Sequence, residues 1–296
     1  MDNRSDNRAD IRDFLASRRA RITPEQAGLP SSGRRRVPGL RREEVAVLAG
    51  VSTDWYTRLE KGHINGVSED VLEAVARALQ LDDDERTYLF DLARAAQPPS
   101  RTPRRRKAVD IPARVQWLLD SVTLSAAFVT NGRLDIMATN ALARALFAPV
   151  FNSATVDDRG RPNFARYYFL DPGSRDFVDD WDRATALTAA LLRAEAGRCP
   201  NDKGLRGLVG ELSTLSGEFR TLWAAHDVRI HHGGVKRFRH PDAGPLELTY
   251  QPLDLPLSAR EAHALTIYTA EPGSPDEERL RLLASWTAEP TAHGRD

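Results

Sequence analysis

The chain has 296 residues and carries 42 Lys and Arg residues against 42 Asp and Glu residues, so its formal net charge at pH 7 is zero. This length is sufficient for about two domains, each with a core of its own. The single cysteine, Cys199, excludes a disulfide framework or a thiolate metal cluster within one chain. The polar N-terminus lacks the apolar core of a signal peptide, and no apolar run approaches the roughly 18 residues that span a bilayer. The lack of both features leads us to expect a cytoplasmic protein that does not bind a membrane.

Apolar residues at helical spacing predict helices in the first hundred residues, at 11–21, 41–49, 52–61, 69–79 and 83–95. In the second of these, Val45 and Leu48 are the apolar positions. Ser68 is placed to cap the fourth helix, and the acidic residues at 82–85 complement the dipole of the fifth. These five helices predict an all-α N-terminal domain.

The second and third predicted helices together form a helix-turn-helix. Gly50 supplies the sharp turn between them, and Ser52 is placed to cap the third helix through its side-chain oxygen. Tyr56 and Leu59 point inward at i, i+3 spacing. Such a motif lays its second helix in the major groove of double-stranded DNA. A helical hairpin that only packs is the alternative, but the basic residues on both flanks favour DNA binding.

The predicted DNA contacts are of two kinds. Thr53, Asp54 and Arg58 remain on the outer face of the third helix and are the candidates to contact base edges, with Arg58 on a guanine and Asp54 on a cytosine amine. Asp54 and Arg58 are also spaced i, i+4, so a mutual ion pair is the alternative. The other candidate contacts, mostly to phosphates, are Arg34, Arg35, Arg36, Arg41, Arg42, Ser52, Trp55 and Thr57.

The segment at 41–62, RREEVAVLAGVSTDWYTRLEKG, resembles the XRE (phage-repressor-like) helix-turn-helix family, in which a GVS turn precedes the recognition helix and Leu-Glu-x-Gly follows it. The resemblance implies a domain of about five helices that reads an operator, and we expect a homodimer because one short helix seldom supplies enough specificity. The chain departs from the family in the Pro- and Gly-rich loop 22–40. Its run at 34–36 is predicted to clamp phosphates or enter the minor groove, with a solvated loop as the alternative.

Composition divides the chain into a DNA-binding domain at 1–96, a Pro- and Arg-rich linker at 97–110, a second domain at 111–286 and a disordered tail at 287–296. In the second domain, helices are predicted at 112–122, 140–147, 163–170, 174–195, 204–215 and 217–224. Strands are predicted at 125–130 and 133–139 around a turn at Asn131-Gly132, and at 228–232, 235–240, 246–253 and 264–270. Antiparallel strands with helices between the second and third predict an α+β domain.

That order of elements resembles a PAS-like sensor fold. The segments at 177–197, FVDDWDRATALTAALLRAEAG, and 219–244, FRTLWAAHDVRIHHGGVKRFRHPDAG, resemble the XRE regulators with an MmyB-like C-terminal ligand-binding domain. The resemblance covers nearly all of residues 10–286. It implies a bacterial transcriptional regulator whose second domain accommodates a fatty-acid-like or other apolar small molecule.

Aromatic and aliphatic residues that recur along the middle helices are the candidates to line such a pocket, and an ordinary core is the alternative. Arg193, His226 and Arg229 are candidates to meet a carboxylate or hydroxyl, although each is equally compatible with a structural role. The candidate ligand-binding residues are Phe164, Tyr168, Phe177, Trp181, Leu187, Leu191, Arg193, Phe219, Trp223 and His226.

Other chemistries have little support in the sequence. His226, His231, His232 and His240 are close together, but adjacent His231 and His232 point to opposite faces of a strand and cannot share one ion. No nucleophile elbow, phosphate-binding loop or dinucleotide motif occurs, so we expect no enzyme activity, no metal and no cofactor. The main alternative for the second domain is a dimerisation or protein-docking module without a ligand.

Overall fold

The computed structural model describes residues 3–30, 37, 39–96, 111–228, 233–257 and 262–287. Two compact units emerge. Unit 1 takes the described parts of Met1–Arg104, Arg193–Gly207 and Thr221–Ile230, and unit 2 takes those of Arg105–Leu192, Leu208–Arg220 and His231–Asp296. The architecture is a helical N-terminal region followed by a region that holds helices and an antiparallel sheet, as expected.

The helices of the N-terminal region confirm the predicted series. They are α1 (Asn3–Arg21), α2 (Arg42–Ala49), α3 (Thr53–Glu60), α4 (Glu69–Ala78) and α5 (Asp83–Ala96). The expected start of α1 at Ile11 is wrong, because the helix begins at Asn3. Its first two turns are polar and carry no apolar periodicity, yet Asn7 is buried and its side chain donates to the Leu92 carbonyl at 3.4 Å.

Local hydrogen bonds form the turn between α2 and α3. Gly50 adopts a left-handed conformation with φ of 67°, a conformation in which glycine carries no steric penalty. Ser52 Oγ accepts from the Trp55 backbone N–H at 3.1 Å, as predicted for a helix cap. The expected side-chain cap at Ser68 is wrong, because the Ser68 side chain makes no capping hydrogen bond although the residue precedes α4.

The core of unit 1 lies between these helices. Tyr56 and Leu59 of α3 are fully buried, as predicted, and Val45 of α2 packs in the same cluster. Leu48, expected beside Val45, is exposed, and small Ala46 and Ala49 take the inward positions instead. Alanine at these positions permits the close approach of neighbouring helices that a leucine side chain prevents.

The elements that follow complete the chain. They are α6 (Ala113–Ser121), β1 (Ala126–Asn131), β2 (Ile136–Thr139), α7 (Ala141–Leu146), α8 (Ala148–Phe151), α9 (Phe164–Leu170), α10 (Ser174–Phe177), α11 (Trp181–Arg198), α12 (Lys203–Leu215), α13 (Gly217–Ala224), β3 (Gly234–His240), β4 (Gly244–Asp254), β5 (His263–Thr269) and α14 (Pro275–Thr287). None of the described helices is long and apolar enough to cross a bilayer.

The described strands form one antiparallel sheet in the order β2-β1-β5-β4-β3. Tyr250 of β4 pairs with Gly234 on one side and with Tyr268 on the other. Phe147, between α7 and α8, lies at the centre of the core against the sheet, and its ring centroid is 5.3 to 5.6 Å from those of Phe128, Phe238 and Tyr268. Such edge-on aromatic contacts stabilise beyond simple area burial.

Three local predictions in the second domain differ from the structure where it describes them. The β1–β2 connection is longer than an Asn131-Gly132 turn: Asn131 N–H donates to the Asp135 carbonyl at 3.2 Å, and Leu134 takes the left-handed conformation. Consequently, β2 begins at Ile136 rather than at residue 133. Val228 lies outside any strand, and residues 229–232 of that predicted strand lie outside the described residues.

The third difference is the break in the predicted helix 174–195. Val178 adopts an extended conformation and forms an isolated antiparallel bridge with Phe238 of β3. The following Asp179 N–H donates to the Arg237 carbonyl at 3.2 Å. This pairing with the edge strand interrupts the helix, because the same backbone N–H cannot also donate along a helix.

Candidate functional site

The outer face of α3 carries the polar residues predicted to contact bases. Thr53, Asp54 and Arg58 are exposed, and Thr57 is half-buried. Among the described residues, no ion pair joins Asp54 to Arg58, so the mutual pair considered from the sequence is not formed. The Arg58 guanidinium is therefore presented to solvent, where its planar donors match a guanine edge or a phosphate.

The residues around α3 support this helix in different ways. Trp55 is half-buried and packs against the unit 1 core, and the Ser52 hydroxyl is occupied by its capping bond. Arg41 precedes α2, where its backbone N–H donates to Glu44 Oε2 at 2.6 Å. Arg34, Arg35 and Arg36 lie outside the described residues.

A buried carboxylate ties the motif together. Glu60, at the end of α3, is only 1 % exposed. Its Oε1 accepts from Arg19 Nη2 and its Oε2 from Arg42 Nε, each at 2.8 Å. Arg19 Nη1 also donates to the Leu40 carbonyl at 2.9 Å. One carboxylate therefore fixes the end of α3 against both α1 and α2.

This carboxylate was not singled out from the sequence, which contains Glu60 only as part of the Leu-Glu-x-Gly ending. The signal available was an acidic residue directly after inward Leu59 and four residues after inward Tyr56, a position on the buried face of the helix. Burial raises the pKa of the Tyr56 hydroxyl, and the nearby Glu60 carboxylate raises it further. Arg42, predicted to contact phosphate, is half-exposed and retains further N–H donors while its Nε is held by Glu60.

Three residues predicted to bind a ligand lie instead in unit 1. Arg193 of α11 is buried, and its Cζ lies 3.6 Å from the centroid of the Trp223 ring. Its Nη2 donates to the Trp223 carbonyl at 2.5 Å and its Nη1 to Asp10 Oδ1 of α1 at 3.3 Å. The guanidinium is thus occupied by a ring, a carbonyl and a carboxylate, so its contacts are structural in this conformation.

His226 is held in the same unit. Its carbonyl accepts from Arg18 Nη2 at 2.5 Å, and Arg18 Nε pairs with Glu85 at 2.9 Å. Burial and, after it, the positive charge of nearby Arg193 lower the pKa of His226 to about 4. The imidazole is therefore neutral near pH 7. Two segments distant in sequence, Arg193–Gly207 and the described part of Thr221–Ile230, thus help to build the unit that contains the helix-turn-helix.

The aromatic candidates that lie in unit 2 form part of its core. Phe164, Tyr168 and Phe177 are buried in the cluster around Phe147. Phe219 packs edge-on against Phe169 with ring centroids 5.0 Å apart. Trp181 is half-buried beneath the Arg175 guanidinium, and Leu187 and Leu191 are half-buried on α11. The structure therefore brings together only part of the predicted ligand set.

A cation missed from the sequence lies among these rings. Lys236 of β3 is half-buried, and its Nζ donates to Tyr168 Oη at 2.6 Å. The same Nζ lies 4.7 Å from the Tyr168 ring centroid and 5.8 Å from that of Phe238. Burial lowers the pKa of Lys236 to about 8. The period of two in the predicted strand already placed Lys236 on the same face as Phe238, and that was the available signal.

A polar depression also opens on unit 2. Its volume is about 340 Å³, and its lining includes Asp157, Asp158, Arg166 and Glu211. Arg166 binds Glu211 through two guanidinium nitrogens at 2.9 and 3.0 Å, so these two charges are already paired. None of the predicted ligand residues lines it. Among the described residues, no three His, Cys, Asp or Glu side chains are arranged to hold a metal ion.

The exposed polar face of a helix-turn-helix is the surface through which such motifs bind DNA, and it indicates a DNA-binding transcription regulator. Comparison with family models supports both halves: a helix-turn-helix domain matches residues 11–89, and the MmyB-like transcription regulator ligand binding domain matches residues 111–283. The second match covers more than half of the chain, which therefore belongs to the MmyB-like transcription regulator family. No curated protein matches the sequence.

Proposed function

We propose that this regulator is a one-component sensor that reads its operator as a homodimer and responds to an apolar small molecule. The observation that carries the DNA-reading half is the exposed Thr53, Asp54 and Arg58 face of α3, held in place by the buried Glu60 carboxylate. Two copies of this short helix, on half-sites related by two-fold symmetry, supply the specificity that one copy lacks. A regulator of this kind acts in the bacterial cytoplasm, at the nucleoid.

Exposed apolar side chains support the homodimer. Trp117 and Leu118 of α6 are 71 % and 47 % exposed, and nearby Leu124 is 66 % exposed, among the described residues. These three large apolar side chains lie within eight residues of one another in the sequence, and a contiguous exposed apolar surface is typical of a protein-contact site. The same observation favours the second candidate function, in which the region is only a dimerisation or protein-docking module without a ligand.

The sensing half rests on the matched ligand binding domain and on the aromatic core of unit 2. The sheet order β2-β1-β5-β4-β3, with helices between β2 and β3, supports a PAS-like fold for this region. In our proposal a fatty-acid-like effector binds among the core side chains and changes the spacing of the two DNA-binding units. The effector regulates only through a difference in affinity for the two arrangements.

Native mass spectrometry of freshly purified full-length protein, followed by solvent extraction, tests the proposal. We expect a dimer that carries a stoichiometric apolar small molecule, and operator affinity that changes when this molecule is removed. A dimer without bound molecule, whose melting temperature is unchanged by a panel of fatty acids, would favour the docking module. A monomer that binds a single half-site would contradict the homodimer.

A further inference from the structure

Lys236 occupies an unusual position on the inner face of the sheet. Along β3, Lys236, Phe238 and His240 share one face, and Phe238 and His240 are buried. Lys236 thus brings a cation to the edge of an aromatic core. A cation in such surroundings loses hydration, and this loss is unfavourable unless an anion or a set of hydrogen-bond acceptors compensates for it.

The groups that contact the Lys236 ammonium are the neutral Tyr168 phenol and the Phe238 ring, and further rings continue the cluster beyond Phe238. Tyr168 of α9 accepts its hydrogen bond at 2.6 Å, and no carboxylate lies within ion-pair distance among the described residues. Tyr268 of β5 and Tyr250 of β4 have ring centroids 5.5 Å apart, and the Tyr268 ring is 5.8 Å from that of Phe238. Burial raises the pKa of both tyrosines, so they stay protonated at neutral pH.

We propose that the Lys236 ammonium and the Tyr168 hydroxyl form the anion-binding end of the ligand site in unit 2, and that this end binds a monocarboxylate with an apolar or aromatic body. This inference rests on the proposed function, since it assigns the polar end of the site that senses the small molecule.

Donor chemistry and charge define this ligand class. Tyr168 Oη accepts from Lys236 Nζ and keeps its own O–H to donate, while the ammonium has two further N–H groups. These converging donors match the two oxygens of a carboxylate. A single cation neutralises one negative charge, which favours a carboxylate over a phosphate dianion. The rings of Phe238, Tyr250 and Tyr268 supply apolar contacts for the body of the molecule.

An inward-pointing charge on an edge strand has a purely structural alternative, in which it prevents the strand from pairing with another chain. Binding selectivity separates the two roles. The test uses the full chain, freed of co-purified molecules by solvent exchange, and two matched probe pairs: decanoate with decan-1-ol, and 2-naphthoate with 2-naphthalenemethanol. Each pair differs in the charged group and shares its apolar body.

The variants are Lys236→Met, which removes the charge at similar length, and Tyr168→Phe, which removes only the hydroxyl. Lys203→Met is the matched control, since Lys203 is exposed at the start of α12.

Titration calorimetry is expected to show that the wild-type protein binds the acid more tightly than the alcohol in at least one pair. Lys236→Met should weaken acid binding about tenfold to a hundredfold and leave the alcohol unchanged, because it deletes a charge-assisted hydrogen bond. Tyr168→Phe should weaken acid binding about threefold to tenfold.

The outcomes distinguish the two proposals. A wild-type protein that binds neither acids nor alcohols would contradict both the sensing function and this site. A wild-type protein that binds the probes, with acid affinity unchanged in Lys236→Met and Tyr168→Phe, would overturn the Lys236 site and leave sensing intact. If Lys236→Met does not fold, Tyr168→Phe alone decides, because it retains the cation and the ring packing. Equal losses in Lys203→Met would also overturn the proposal.

Discussion

Replacement of Glu60 by Ala tests whether one buried carboxylate holds the recognition helix. The substitution removes the acceptors of two charge-assisted hydrogen bonds, from Arg19 Nη2 and Arg42 Nε, each 2.8 Å long. Each such bond contributes about 1.5–3 kcal/mol, and the loss is largest where the remaining partner stays buried. The side chain of Arg19 is 16 % exposed and that of Arg42 is 49 % exposed, so Arg42 rehydrates more easily.

We therefore expect the free energy of unfolding to fall by about 3–4 kcal/mol in Glu60→Ala. Glu60→Gln keeps the side-chain shape and one acceptor, and should lose about half as much. Urea unfolding of the full chain gives both values from the shift in midpoint at constant slope. Operator affinity should fall in parallel, because the orientation of α3 depends on the same contacts.

Glu43→Gln provides the matched control. Glu43 is on α2, its side chain is 62 % exposed, and its Oε1 lies 3.4 Å from Arg41 Nη1. An exposed pair of this kind contributes at most about 0.5 kcal/mol. A loss of stability in Glu60→Ala no larger than that in Glu43→Gln would contradict the role of the buried carboxylate. So would a less stable Glu60→Ala protein that, while still folded, binds the operator with wild-type affinity.

Three further substitutions or conditions probe the DNA contact and unit 1. Arg58→Ala should weaken the free energy of operator binding by about 1–3 kcal/mol and relax the base preference at one position, which binding to single-base operator variants measures. The control Arg77→Ala, at an exposed arginine of α4, should change the binding free energy little. Gly197→Ala should destabilise the protein by about 1–3 kcal/mol, because its Cβ would lie 2.1 Å from Tyr88 Cε2; Gly207→Ala, with open space around its Cβ, is the control for urea unfolding. Acidification from pH 7 to pH 5 should destabilise the protein through His226 by about 1–2 kcal/mol, and His226→Asn should reduce this dependence.

The sign of the acid effect follows from the two pKa values of His226. The pKa is about 4 in the folded protein and about 6.5 in the unfolded chain. Between these values the unfolded state binds more protons, so stability declines as the pH falls from about 6.5 towards 4. An unchanged pH dependence in His226→Asn would contradict this account. For Arg58, equal weakening on every DNA sequence would indicate a phosphate contact, and wild-type stability in Gly197→Ala would contradict the close packing.

The sequence by itself determined the elements that depend on neighbouring residues. The turn at Gly50, the cap at Ser52 and the inward pair Tyr56 and Leu59 were all predicted and are all present. These features depend on hydrogen bonds and side-chain spacing within about four residues, which the order of amino acids specifies directly. The antiparallel sheet with helices between β2 and β3 was predicted in the same way, from alternating and helical periodicities.

Only the tertiary structure decided the features that join distant segments. Burial of Glu60 requires α1, α2 and α3 to meet, and the position of Lys236 requires α9 to lie over β3. The helix break at Val178 arises because an edge strand pairs with it. The Arg193 guanidinium is chemically suited to bind a ligand carboxylate, but its partners are Trp223 and Asp10 in unit 1. In each case the decisive energy is the desolvation of a polar group, and which partner compensates for it depends on residues far apart in the chain.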